Sequence, residues 1–245
     1  MRLTVLGGSG GYPGQGRPCS GYLIDEDGFT ILVDPGYGVA TVLSAEGARG
    51  FDAVLVSHAH PDHCADLNPI LRARAWSDGS LLPLPIYALS GALDAVMALD
   101  RPEVLAGSYV LADLEGDREL AIGPFRVGTA RLPHPRPNLG FRLSVDGRSI
   151  AYTGDCGPSE DLIRLAGGTN LLLAEASYAD AVPREVVGAL SSAADVGAEA
   201  RAAGAGHLVL THLMPGTDEA ASLRAARRVF SEPIDVARPG LVVEL

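Results

Sequence analysis

The chain has 245 residues, of which 47% are hydrophobic and 20% charged, a composition that supports a sizeable core and gives no sign of disorder. Thirty acidic residues against 19 basic ones leave a formal net charge of −11, and no Lys/Arg run makes an extended phosphate-tracking surface, so long nucleic acid is excluded as the default partner. The 3 cysteines, Cys19, Cys64 and Cys156, are odd in number and irregularly spaced, which predicts reduced thiols and no disulfide framework.

In chain order, Arg2 to Leu6, Gly21 to Ile24 and Thr30 to Val33 read as strands, with Asp27-Gly28 as a hairpin turn between the last two. The first strand turns into glycine too soon to be a signal peptide, and no apolar stretch approaches membrane-spanning length; a soluble, cytoplasmic protein is expected. Gly7 to Pro18 is a glycine-rich loop long enough to cover a pocket, without the Gly-Lys-Ser/Thr ending of a phosphate loop. Helical patterns follow at about Gly38 to Ala45, Ala65 to Trp76 and Ala92 to Ala98, with a strand at Ile86 to Ala88. Short strands are predicted near Tyr109 to Leu111 and Glu119 to Ile122, then longer ones at Phe125 to Leu132, Gly140 to Val145 and Ser149 to Thr153, the last two joined by an Asp146-Gly147 turn. Helix and strand then alternate: helix Ser159 to Leu165, strand Leu171 to Ala174, helix Ala193 to Ala203, strand His207 to Thr211, helix Asp218 to Phe230 and strand Leu241 to Glu244. Two strand-rich stretches, each passing into helices, predict an α/β fold with sheets packed face to face and helices outside. No linker divides the chain and no internal repeat is visible, so one domain over 1–245 is expected.

Five of the 6 histidines fall into one metal-binding pattern. His58-Ala59-His60-Pro61-Asp62-His63 follows the buried-strand run Phe51 to Ser57, which places the ligands at a sheet edge. His58 and His60, two apart, point the same way in extended backbone, while Pro61 bends the chain and lets Asp62 and His63 face a second nearby point, a geometry suited to two metals. His134, Asp155 and His212 also sit near the ends of apolar runs.

These residues resemble the metallo-β-lactamase superfamily, whose fold is a four-layer αβ/βα sandwich with a dinuclear metal site along one edge. Leu32-Val33-Asp34-Pro35-Gly36, the His58 to His63 motif, His134, Thr153-Gly154-Asp155 and Thr211-His212-Leu213 occur in family order over nearly the whole chain. The resemblance implies His58, His60 and His134 on one zinc, Asp62, His63 and His212 on the other, and Asp155 bridging, with manganese or iron as alternative metals. The chain looks closest to the ribonuclease Z-like branch, which includes small phosphodiesterases of cyclic nucleotides; the features are the bridging aspartate, Gly140-Phe141-Arg142-Leu143, Ala174-Glu175-Ala176-Ser177 and the His207 to Leu213 strand. Two departures stand out. No long insertion between Tyr178 and the Ala193 helix supplies the tRNA-gripping arm, and Ala189 occupies the place of the family histidine that pairs with Glu175.

Two zinc ions held by imidazole and carboxylate with a position open for water make a hydrolytic design, because a metal lowers the pKa of bound water to roughly 7. Asp62 is then expected to orient the nucleophile and accept its proton, with Glu175 and Tyr178 as catalytic candidates for the leaving group. Arg136 and Arg17 are the candidates for clamping a substrate phosphate, each set against a solvated surface arginine. Asp34 is expected to organise the turn or support a ligand, and Asp66 either holds an imidazole tautomer or is a surface carboxylate. His207 starts the strand that His212 ends, some 16 Å away at about 3.3 Å per residue, and is left out. The expected function is a dinuclear zinc phosphodiesterase acting on a small phosphodiester such as a cyclic nucleotide, with no membrane partner; whether the chain forms a homodimer stays open. The alternative is an ester, thioester or lactone hydrolase, and behind it stand a ribonuclease Z-type tRNA endonuclease and a catalytically silent metal-binding protein.

Overall fold

Leu32 and its neighbours Ile31 and Val33 are all buried, so this strand has no solvent face, and the same holds for Leu171 to Glu175 and Leu208 to Thr211. Strands buried on both faces need a second sheet on one side and helices on the other. A computed structural model, which describes residues 1–45, 50–77 and 82–245, shows that arrangement. Its first half runs β1 (Arg2–Gly7), β2 (Gly21–Glu26), β3 (Phe29–Val33), α1 (Val39–Ala45), β4 (Ala53–Leu55), α2 (Pro61–Cys64), α3 (Leu67–Ala75), β5 (Leu84–Leu89), α4 (Asp94–Met97), α5 (Pro102–Leu105) and β6 (Tyr109–Leu114). The second runs β7 (Glu119–Ile122), β8 (Phe125–Leu132), β9 (Asn138–Val145), β10 (Arg148–Tyr152), α6 (Glu160–Leu165), β11 (Leu171–Glu175), α7 (Ala193–Ala203), β12 (Leu208–Thr211), α8 (Glu219–Arg227), β13 (Ile234–Val236) and β14 (Val242–Glu244).

Two seven-stranded sheets result, in the orders β14-β1-β2-β3-β4-β5-β6 and β13-β12-β11-β10-β9-β8-β7. Each half begins as an antiparallel meander and then adds parallel strands, β3 to β6 in one sheet and β10 to β13 in the other. Between the sheets lies a core that includes Val5, Tyr22, Ile31, Val33, Phe141, Ile150, Tyr152 and Leu173. Leu32, Val54 and Val56 face the other way onto α1 and α3. Ala151, Leu172 and Leu210 face α6 to α8. These layers give the αβ/βα sandwich that the motif order implies, and no described helix is long and apolar enough to cross a membrane.

Most of the predicted elements are present within a residue or two of their expected ends. The region Ala65 to Trp76 differs: the helix starts at Leu67, and the preceding Pro61–Cys64 forms its own helical turn with Pro61 in the first turn, where its missing N–H is harmless. Asp66 does not hold an imidazole; its Oδ2 accepts the Ala40 N–H at 2.8 Å and anchors the start of α1. The short α5 and β13 escape the sequence reading, since three or four residues carry no usable periodicity. Both hairpin turns are as expected, with Asp27 and Asp146 at φ 50° and 48° ahead of their glycines.

Between α6 and α7 lies a buried carboxylate unconnected with the site. Glu199 is only 6% exposed; its Oε1 accepts the Ser159 N–H at 2.8 Å, while its Oε2 is buried without a partner. Burial pushes its carboxyl up from 4.5 to about 7, with Asp195 and Glu160 adding to the rise. Because the folded-state value lies above the unfolded one, the group's stabilising contribution is full below pH 4.5 and is lost as pH rises through about 7. Glu199→Gln should therefore gain in Tm over the parent as pH rises across that window, and thermal melts at its two ends check this. A constant difference would show that Glu199 does not titrate there.

Candidate metal centre

Four parallel-strand or meander ends bring the candidate ligands together: β4 leads to His58, His60 and α2, β8 to His134, β10 to Asp155 and β12 to His212. Two groups of potential ligand atoms form, His58, His60, His134 and Asp155 in one and Asp62, His63, Asp155 and His212 in the other, each within 4.8 Å. Asp155 belongs to both. Its Oδ2 lies 3.7 Å from His58 Nε2, and its Oδ1 lies 3.0 Å from His63 Nε2 and 3.2 Å from His212 Nε2.

Hydrogen bonds on the far side of each ring decide which nitrogen faces inward. His63 Nδ1 donates to Asp34 Oδ2 at 2.8 Å, and His134 Nδ1 to the Ala189 carbonyl at 3.0 Å. Ser57 Oγ donates to Asp34 at 2.6 Å and so accepts from His58 Nδ1 at 3.0 Å; Ser177 Oγ donates to the His212 carbonyl and accepts from His212 Nδ1 at 2.9 Å. Four imidazoles thereby carry an Nδ1–H and turn their Nε2 atoms inward, where the lone pair of a neutral ring can ligate a metal. His60 points inward with Nδ1, which is 3.0 Å from His58 Nε2 and 3.2 Å from His134 Nε2.

Such convergence fits metal ions. Nitrogen lone pairs at 3.0–3.2 Å repel unless a proton or a cation lies between them, and His63 Nε2 and Asp155 Oδ1 are buried with no hydrogen-bond partner. The donor set, imidazole nitrogen with carboxylate oxygen, is the one zinc accepts in catalytic sites. In the three-histidine pocket, burial and the neighbouring His63 push His58 well below its ordinary pKa, favouring the neutral imidazole that ligates. In the carboxylate-rich pocket burial opposes protonation of His63 and His212, yet Asp155 raises both. Burial would raise Asp62, but the His212 hydrogen bond and the His63 charge hold it below the usual carboxylate range.

Local backbone explains how the site closes. His212 and Asp34 have φ of 57° and 50°, a left-handed conformation that costs a non-glycine residue about 1–3 kcal/mol and turns each side chain off its strand end into the cluster. The glycine-rich loop covers the site with backbone. Gly11 N–H donates to Asp62 Oδ2 at 2.8 Å, and a Cβ on Gly10 would lie 2.6 Å from the His212 ring.

Asp62 and the six other expected ligands are all in the cluster. Arg136, two residues beyond His134, is exposed to solvent. Arg17, in the glycine-rich loop, pairs its guanidinium with Glu219, which also takes Arg238. Glu175 is 1% exposed, and main-chain N–H groups occupy both of its oxygens. Tyr178 is half-buried, its carbonyl accepting the Ala193 N–H. The three cysteines are free, buried thiols outside both ligand groups, and His207 pairs with Asp235 at the other end of β12. Sequence reasoning missed Ser57, Ser177, Tyr152, Gly11 and the Ala189 carbonyl. Only the motif neighbours Ser57 and Ser177 carried a signal, as hydroxyls beside a ligand strand.

Comparison with known proteins agrees with this geometry. The family model described as beta-lactamase superfamily domain matches residues 30–213. The probable metallo-hydrolase YhfI of Bacillus subtilis (strain 168) is 31% identical over 251 residues, spanning 100% of both chains. The crystal structure of YhfI, a metallo-beta-lactamase fold protein, superposes with a TM-score of 0.89 at 28% identity, covering 100% of this chain and 99% of that one. A ribonuclease Z of Mycobacterium bovis (strain BCG / Pasteur 1173P2) is 30% identical over 267 residues, covering 96% of this chain and 95% of that protein.

Asp34 accepts four hydrogen bonds beside the ligands, from Ser57 N and Oγ, His63 Nδ1 and Tyr152 OH at 2.6–2.8 Å. Asp34→Ala should leave these buried donors without an acceptor and cost about 3–5 kcal/mol, read by urea unfolding of metal-free protein. A loss well under 1 kcal/mol would mean that water replaces the carboxylate, at about the value of an ordinary exposed contact.

Proposed function

The chain belongs to the metallo-β-lactamase superfamily, in its ribonuclease Z-like branch, and on that premise we propose that it is a dinuclear zinc phosphodiesterase acting on small phosphodiesters such as cyclic nucleotides. The observation that carries this reading is Asp155, whose two oxygens face two separate ligand groups. His58, His60 and His134 would hold one ion, Asp62, His63 and His212 the other, and Asp155 both. When bound, such a pair of ions supplies a hydroxide nucleophile at neutral pH and Lewis-acid polarisation of the scissile group.

The chain's own residues define the rest. Asp62 stays ionised, fixed by Gly11 N–H and His212, and is the acceptor for the proton of the attacking water. Arg136, exposed beside His134, presents a fork that matches two phosphate oxygens. Tyr178 is the remaining side chain for donating a proton to the leaving group. Ser57, Asp34, Ser177 and the Ala189 carbonyl orient the imidazoles.

The likeness to ribonuclease Z would suggest cleavage of precursor tRNA. Against it stand the segment between Glu175 and α7, which holds a single 3-10 turn at Arg184–Val186, and the negative net charge, which disfavours the multiple phosphate contacts that bind tRNA. Ala189 supplies no proton donor, and Glu175 is turned to the main chain, so activated or strained leaving groups are favoured. The same feature supports a second reading, a lactone or thioester hydrolase, whose leaving group also departs readily.

Zinc-loaded protein should hydrolyse a cyclic nucleotide and bis(p-nitrophenyl) phosphate and leave precursor tRNA intact. Efficient tRNA processing would refute the reading, and activity confined to lactones or thioesters would move the assignment to the second one. Asp62→Ala should lower turnover by on the order of 10²-fold or more, with a smaller change in KM. Metal-replete protein with near-normal turnover would remove Asp62 as the base. Arg136→Ala should cost about tenfold or more on phosphodiesters and leave an activated carboxylic ester nearly unchanged; equal effects on both would take Arg136 out of the site.

A further inference from the structure

Glu175 ends β11 close to both ligand groups, yet its carboxylate serves the main chain. Oε1 accepts from the N–H of Ser177 and Ser191, and Oε2 from the N–H of Cys156 and Ser191, all at 3.1 Å. Ser191 lies in the loop that runs from the Arg184–Val186 turn to α7. Its Oγ donates to the Cys156 carbonyl at 2.8 Å, and two residues earlier the Ala189 carbonyl accepts from His134 Nδ1. Glycines pack this loop onto the chain that follows Asp155: a Cβ on Gly157 would lie 2.4 Å from the Gly188 backbone. The loop is thus pinned to the Asp155 strand end, and it meets the ligand cluster through the Ala189 carbonyl.

We propose that Glu175 is a positioning residue: by clamping Ser191 it holds the Ala189 carbonyl on His134 and so sets the metal affinity of the three-histidine pocket. This rests on the dinuclear reading above. Without an acceptor at Nδ1, His134 can turn or take the other tautomer, and loss of such a partner typically costs 10–100-fold in metal affinity. A carboxylate is required at position 175 because both of its oxygens receive N–H groups. A glutamine would turn its NH2 toward one pair of donors in either orientation. The residue at position 189 can be alanine because it acts through its carbonyl alone.

The test is stepwise zinc binding by metal-free parent, Glu175→Gln and Gly157→Ala, read by competition with a chromogenic chelator, with circular-dichroism melts to confirm folding. The parent should take up two equivalents. In each variant one step should weaken by about 10–100-fold while the other keeps its affinity within about twofold. The proton NMR signal of His134 Nδ1–H in the zinc-loaded parent should also lose its exchange protection in both variants, which a general loss of stability would not do selectively. Folded variants with both steps unchanged, or with both weakened equally, overturn the clamp. Should Glu175→Gln fail to fold, Gly157→Ala decides, because its Cβ displaces the same loop. A parent that binds fewer than two equivalents brings down the dinuclear reading and the clamp together, whereas two equivalents in the parent with unaltered variants removes the clamp alone.

Discussion

Asp155 is the constraint on which the rest of the centre depends. A buried carboxylate with three imidazole nitrogens within 3.7 Å is stable only when its charge is met, and among the described residues the groups that meet it are His58, His63 and His212. Burial pushes its carboxyl up, and these histidines more than reverse the push, so its pKa falls well below the usual range. Protons on His63 and His212 can supply the positive charge in the absence of metal, and divalent cations supply more of it with better directionality. A metal ion bound here would displace those protons, and that linkage would make metal binding and folding stability parts of one equilibrium.

The sandwich serves this constraint by geometry. Parallel strands in the two sheets end on the same edge, and a strand end leaves its last side chain free of the pleat, so each sheet delivers ligands without an insertion. Two disfavoured backbone conformations fall at this edge. Of the five described non-glycine residues at positive φ, Asp27 and Asp146 sit in hairpin turns and Asp117 in the connection between β6 and β7, while Asp34 and His212 point into the cluster and are held there by Ser57, Tyr152 and Ser177. The glycine loop approaches His212 more closely than any side chain would allow, which brings the Gly11 N–H onto Asp62.

How much of this was legible in the sequence follows from the range of each interaction. The ligands were legible because they sit in short motifs at strand ends, and the layer order because both-face burial leaves unbroken apolar runs such as Leu171 to Ala174. The supporting shell was less so. Asp34 and Asp66 look alike on paper, each an aspartate near a ligand element. Asp34 Oδ2 reaches His63 across 29 residues, whereas Asp66 reaches back to cap α1 at Ala40, and only the folded path separates the two. Tyr152 was read as strand core, which it is, but its hydroxyl also reaches Asp34 from the opposite sheet. A backbone acceptor such as the Ala189 carbonyl has no residue-type signature at all. Glu175 was the opposite case, a residue whose family resemblance pointed to chemistry while its hydrogen bonds point to the main chain.

Charge at two length scales bears on what such a centre would admit. The chain as a whole carries −11, which repels a polyanion approaching from a distance, but that field is screened beyond about 8–10 Å at ordinary ionic strength. Inside the cluster the balance differs under the dinuclear reading: two divalent ions would bring four positive charges against the carboxylates of Asp62, Asp155, Asp34 and Glu175, which offsets the acidic character locally. Under the proposed function, a small anion within the screened range would need only the ions and Arg136, exposed two residues beyond His134, to meet its charge. A long nucleic acid would have to lay the rest of its phosphates along an acidic exterior without a gripping arm, and each phosphate left without a cationic partner subtracts from its affinity. Under the proposed function, size and charge therefore work in the same direction, favouring a small substrate over a polyanion in a chain whose overall charge argues against long nucleic acid.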